Sequence, residues 1–221
     1  MRNIFGLSKD EIWEQLCSEI GGEFVKGRVW NGGSKVRVQV REWVVTLDSF
    51  NAKVDFTRIR APYVNKDGFR FKIYRKSFFS RLGKLCGMQD IEVGGPKFEK
   101  LEPLFGIASY LRTEDIECGY PEFDQEFIIK GNNRNKVQEL FKNLKIRELI
   151  QAQPSIYLAV KDDEGWFGER FPAGVDELYF QVEGIIKDIS RLKSLFELFA
   201  EVLNMLCHIG SAYENDPKIK L

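Results

Sequence analysis

Residues 35–45 read KVRVQVREWVV, and this stretch decides the class of fold. Valine stands at every second position, and polar residues stand between the valines. Successive side chains of a β-strand point to opposite faces of the sheet. The alternation therefore predicts a strand with one buried face and one face in water. The apolar positions are Val36, Val38 and Val40, and the polar ones are Arg37, Gln39 and Arg41.

Further short strands are predicted around this segment. Residues 24–30 and 52–60 have strand-like composition, and residues 69–74 alternate again. The turn NGGS (31–34) and the loop APYVNKDG (61–68) separate these strands, and connections this short favour an antiparallel sheet. In the strand at 69–74, Phe69, Phe71 and Ile73 are predicted to be buried, and Arg70, Lys72 and Tyr74 to face water.

The C-terminal half repeats this style. FDQEFIIKG (123–131) predicts a strand, and apolar alternation predicts two more at 156–160 and 178–182. The segment 161–177 between the last two is predicted to be a loop.

Helices are indicated by capping residues and by apolar stripes. Ser8 and Glu11 form a capping box, and Gly21 ends the helix that it opens. Further helices are predicted from Ser77 to Gly87, after Asn132 or Asn133, and at 145–151. A long last helix at 187–208 has a wide apolar stripe, which favours burial against a sheet of the same chain.

Together these elements predict an α+β fold, with antiparallel sheet(s) and packing helices. The chain is divided into a basic N-terminal lobe (1–93), a linker or insertion (94–118) and a C-terminal lobe ending in the long helix (119–221). These are two similar lobes or one domain with an internal pseudo-repeat. DIEVGGPKF (90–98) returns as DIECGYPEF (115–123), which favours a local duplication, with two equivalent strand ends as the alternative.

Composition indicates a cytoplasmic protein. No apolar run reaches the roughly 18 residues of a membrane span, and the N-terminus lacks the apolar stretch of a secretory signal. The cysteines are far apart and form no C-x-x-C pair, so reduced thiols are expected rather than a metal site. They are Cys17, Cys86, Cys118 and Cys207. Neither a cofactor nor a transmembrane segment is predicted.

Several stretches resemble a family of uncharacterised bacterial proteins. They are TRIRAPY (57–63), DGFRFKIYRKSFFSRLGKLCGMQDIEVG (67–94), PEFDQEFIIKGN (121–132), DDEGWFGERFPAGVDELYF (162–180) and LFAEVLNMLCHIGSAYENDP (198–217). The resemblance implies a single cytoplasmic domain in which 94–118 is an insertion. It implies no catalytic residue.

Motifs for catalysis are weak. An acidic loop could bind a divalent cation, but its spacing is not that of an EF-hand, and a solvated hairpin tip is the preferred interpretation. Its carboxylates are Asp162, Asp163, Glu164 and Glu169. His208 follows the stripe of the last helix, and a surface or capping role is expected for it. No P-loop, dinucleotide fingerprint or nucleophile elbow is present.

Charge is distributed unevenly along the chain. Although 33 basic and 33 acidic residues balance overall, residues 26–84 hold 15 Lys or Arg against four acids. This excess predicts either an anionic partner or pairing between the basic and acidic halves. The proposed anion-binding residues are Arg37, Arg41, Arg58, Arg60, Arg70 and Lys72, with Tyr63 and Tyr74 as stacking aromatics.

These observations favour a non-enzymatic binding or scaffold protein of the bacterial cytoplasm, with an unknown protein partner or self-association. One alternative is binding of nucleic acid or an anionic lipid surface through the basic half. The other alternative is an enzyme with an unrecognised site.

Overall fold

The computed structural model describes residues 7–27, 33–51, 54–76, 114–162, 171–219 and 221. These residues form an α+β fold, as predicted. The helices are α1 Lys9–Ile20, α2 Pro121–Glu126, α3 Arg134–Lys142, α4 Leu144–Gln151 and α5 Ile189–His208. The strands are β1 Glu23–Val25, β2 Lys35–Val40, β3 Trp43–Asn51, β4 Asp55–Val64, β5 Phe71–Arg75, β6 Glu114–Asp115, β7 Phe127–Gly131, β8 Tyr157–Asp162 and β9 Val175–Glu183.

All of these strands lie in one sheet, and every ladder between them is antiparallel. Their order is β1-β2-β3-β4-β9-β8-β5-β7-β6. Strand β9 lies between β4 and β8, and β5 lies between β8 and β7. The segments 1–93 and 119–221 therefore share a sheet instead of building one each, and an internal repeat stays a prediction. Part of the predicted linker also belongs to the fold, because Ile116 and Cys118 are each 5% exposed within the core.

The main core lies between one face of the sheet and the helices. Leu203 and other apolar residues along α5 are buried there together with α1, α3 and α4. Asp188 caps α5 by accepting the N–H of Arg191 at 3.1 Å. The predicted long helix and its wide buried stripe are both confirmed.

Local capping signals were read correctly at α1. The N–H of Glu11 donates to the hydroxyl of Ser8 at 3.3 Å, and the N–H of Ser8 donates to the Glu11 carboxylate at 2.8 Å. Gly21 ends the helix with a φ of 72°, a left-handed conformation that glycine adopts without strain. Asn133 caps α3 in the same way as Ser8 caps α1.

Four boundaries differ from the sequence-based prediction. Arg41 and Glu42 form a turn. Residues 35–45 therefore contain β2 and the start of β3, paired as a hairpin, rather than one strand. The loop predicted at 61–68 begins only after Val64, and the loop predicted at 161–177 is shorter at both ends. Residues 121–126 are helical because Pro121 opens α2 and the Asp124 carboxylate accepts three main-chain N–H groups of the preceding turn, those of Cys118, Gly119 and Tyr120. The helix predicted from Ser77 and the segment 94–113 lie outside the described residues.

Pairing between β3 and β4 stops at Thr46 and Arg60, although both strands continue. The main chain of Asn65 faces β9, because its N–H donates to the carbonyl of Gly174 at 2.9 Å. Main-chain groups alternate sides along a strand, so those of Pro62 face β3. Proline has no N–H to donate there, which accounts for the end of the ladder.

The chain that follows α5 takes the place of β3 beside the end of β4. The N–H of Lys66 donates to the carbonyl of Ser211 at 2.9 Å, and the N–H of Tyr213 donates to the carbonyl of Val64 at 3.1 Å. We call residues 211–221 the tail segment. Its first residues, 211–213, pair antiparallel with the end of β4, on the side where Pro62 ends the ladder with β3.

Candidate functional site

A network of buried charge lies on the sheet face opposite the helices. Asp48 of β3 is directly paired with Arg58 of β4, so both side chains project from the same face. The Arg58 guanidinium donates from Nε and Nη2 to the two carboxylate oxygens, at 2.7 and 2.9 Å. Arg60 donates to the same carboxylate at 2.8 Å and approaches Glu177 of β9 at 3.6 Å. Two arginines thus converge on one buried aspartate.

These contacts fix the charge state of Asp48. Burial alone would raise the pKa of the Asp48 carboxyl, but the hydrogen bonds and charges of Arg58 and Arg60 outweigh it and lower the pKa. Burial would likewise lower the pKa of Arg58, and Asp48 raises it instead. The carboxylate and the guanidinium are therefore both charged at neutral pH.

A second cluster of charge lies where β8 and β9 meet their connecting loop. Asp162 and Asp176 are directly paired across the two strands, and Arg70 bridges them. Its Nε lies 3.2 Å from Asp176, whose carboxylate also accepts the Asn65 amide at 2.5 Å. Burial raises the pKa of Asp176, and Arg70 and Asn65 offset this only in part.

The remaining arginines of the basic segment also contact carboxylates. Arg37 lies 3.9 Å from Glu23 and donates to the carbonyl of Leu221. Arg41 lies 3.0 Å from Glu214. Arg75 pairs with Glu126, and it donates to the carbonyls of Gln151 and Gln153 at 2.9 and 2.7 Å.

The described arginines of the basic segment pair with carboxylates inside the fold. Six arginines between positions 26 and 84 fall within the described residues, and each contacts a carboxylate. Five of the partners come from beyond residue 118: Glu126, Asp162, Asp176, Glu177 and Glu214. Anion binding by this segment stays a prediction, but the six arginines that the structure describes already have carboxylate partners.

The exposed placement predicted for Lys72 is wrong, because its residue is only 7% exposed. Alternation decides which face a side chain takes, but not whether that face meets water. Strand β5 lies inside the sheet, with Lys72 directly between Ala159 of β8 and Lys130 of β7. Arg60 is buried on the same face for the same reason.

The aromatic residues proposed for base stacking are also buried. Tyr63 lies in the helix-covered core, and burial raises the pKa of its hydroxyl well above the usual value. Tyr74 is fully buried and stacks on Tyr157 with ring centroids 6.4 Å apart. Neither ring is free to stack on a nucleic-acid base.

Sequence reasoning missed a row of aromatic residues beside the charge network. Tyr157 meets Tyr179 edge to face at 6.5 Å, and Lys161 lies 3.1 Å above the Tyr179 ring. Tyr179 in turn donates its hydroxyl to Gln181. The sequence carries no signal for this row, because the neighbours of Tyr157 and Tyr179 depend on the strand register.

Of the residues considered for catalysis, the structure describes Asp162 and His208. Asp162 of the acidic loop is bound by Arg70, and Asp163, Glu164 and Glu169 lie outside the described residues. His208 is exposed at the end of α5, beside a surface pocket of about 290 Å³ lined by Asn135, Lys136, Glu139 and Ile209. Within the described parts of the chain, no three His, Cys, Asp or Glu side chains could hold a metal ion.

The three thiols that the structure describes have raised pKa values. Burial, with a hydrogen bond to Asp124, raises the pKa of Cys118 to about 12. Burial also raises the pKa of Cys17 and of Cys207, the neighbour of His208. A nucleophilic cysteine needs a lowered pKa, and these three thiols have the opposite shift.

Comparison with known proteins adds little to this picture. No family model and no curated protein matches the sequence. Among solved structures, the chain is similar to the crystal structure of the mycobacterial trehalose monomycolate transport factor A, TtfA. The TM-score is 0.49 and the sequence identity 7%, over 96% of this chain and 98% of that one. A likeness at this level carries no argument. Among the helices that the structure describes, none is both long and apolar enough to cross a bilayer.

Proposed function

We propose that this chain is a non-enzymatic binding or scaffold protein of the bacterial cytoplasm, and that its partner is a protein. The proposal rests on the contacts of the described arginines with carboxylates of their own chain. Among the described residues, each arginine that would have served a polyanion is engaged by a carboxylate of the same chain.

Binding of nucleic acid or anionic lipid is the less favoured alternative. A phosphate would have to compete with Asp48 for Arg58 and Arg60, and breaking a buried ion pair leaves a buried charge without compensation. The aromatic residues that would stack on bases are buried in the core or in the sheet. An enzymatic role is less favoured because burial raises the pKa of the described thiols, which disfavours the nucleophilic thiolate form.

Titrations with polyanions test the proposal directly. The full chain is titrated with a generic oligonucleotide and with anionic vesicles at low and at physiological salt. We expect no binding at either salt concentration. Contacts with phosphates weaken steeply as salt rises. Binding at low salt that weakens with salt, and that is reduced in a Lys26/Lys66/Lys76→Gln variant, would establish the alternative, since these three lysines are exposed.

The protein partner is tested by reconstitution. A candidate partner protein is first captured with the full chain as bait. The candidate is then purified on its own and mixed with the purified chain. Light scattering should then show a complex of fixed stoichiometry. Failure of every purified candidate to form such a complex, together with tight oligonucleotide binding, would overturn the proposal.

A further inference from the structure

We draw no further inference here: the strongest candidate, the polar and aromatic sheet face around Tyr74, Tyr157 and Tyr179 on the side away from the helices, carries nothing because these residues are buried and nothing in the part of the chain that the structure describes shows what covers them.

Discussion

Asp48 holds Arg58 through both of its carboxylate oxygens, at 2.7 and 2.9 Å, and it also accepts a hydrogen bond from Arg60. The carboxylate is buried, so its removal leaves Arg58 without its carboxylate partner and Arg60 with Glu177 alone, at 3.6 Å. We expect Asp48→Asn to lower the free energy of unfolding by about 3–5 kcal/mol. Chemical denaturation measures this loss.

Glu214→Gln is the matched control for that substitution. It also removes a carboxylate from an arginine, but both side chains of the Arg41–Glu214 pair are more than half exposed. We expect a loss below about 1 kcal/mol. Equal losses in the two variants would show that the burial of Asp48 does not determine its contribution.

The pH dependence of stability should follow the same carboxylate. The pKa of Asp48 is lower in the folded chain than its ordinary value near 3.8. Its stabilising contribution is therefore complete above about pH 4 and is lost as pH falls through the folded-state pKa. The free energy of unfolding, measured from pH 6 downward, should decline less in Asp48→Asn than in the unaltered chain. A parallel decline in both chains would contradict this.

Two buried threonines should respond in opposite ways to replacement by valine. The hydroxyl of Thr46 finds no hydrogen-bond partner among the residues that the structure describes. Thr57 donates to the carbonyl of Gly184 at 2.7 Å and accepts the N–H of Ile186 at 2.9 Å. We expect Thr46→Val to be neutral or stabilising and Thr57→Val to cost about 1–3 kcal/mol. Thermal unfolding of both variants tests the pair, and a larger loss for Thr46→Val would refute it.

The long helix should contribute to stability through its own chain. Leu203 is fully buried in the main core, so we expect Leu203→Ala to cost about 2–5 kcal/mol. Leu144 is 58% exposed, and Leu144→Ala should change stability by less than about 0.5 kcal/mol. Unfolding followed at several protein concentrations separates this effect from dimer dissociation. A loss that depends on concentration would place Leu203 in an interface.

Features encoded by neighbouring residues were predictable from the sequence. The capping box of Ser8 and Glu11 and the stripe of α5 depend on spacings of three or four residues, and both are confirmed. Alternation likewise identified β2. These patterns report the immediate surroundings of each residue along the chain, which is all that a single sequence provides.

Features that depend on strand order could not be predicted. Arg70 meets Asp162 and Asp176 only because β5, β8 and β9 come together in the sheet. Lys72 is buried because β5 is an inner strand, and alternation carries no information about that. Pro62 lies in the loop predicted at 61–68, and only the register shows that it belongs to β4 and faces β3.

The position of β9 beside β4 has a consequence for synthesis of the chain. Thr57 pairs with Val182, so an emerging polypeptide completes strands β1 to β4 long before the ribosome has produced the segment that will lie next to β4. Until then, both borders of the new hairpins are open to pairing with other unfinished chains. Pro62 faces the β3 side of β4, so it does not block a ladder on the side that β9 later covers. That side of β4 stays exposed to pairing with other chains until β9 is synthesised.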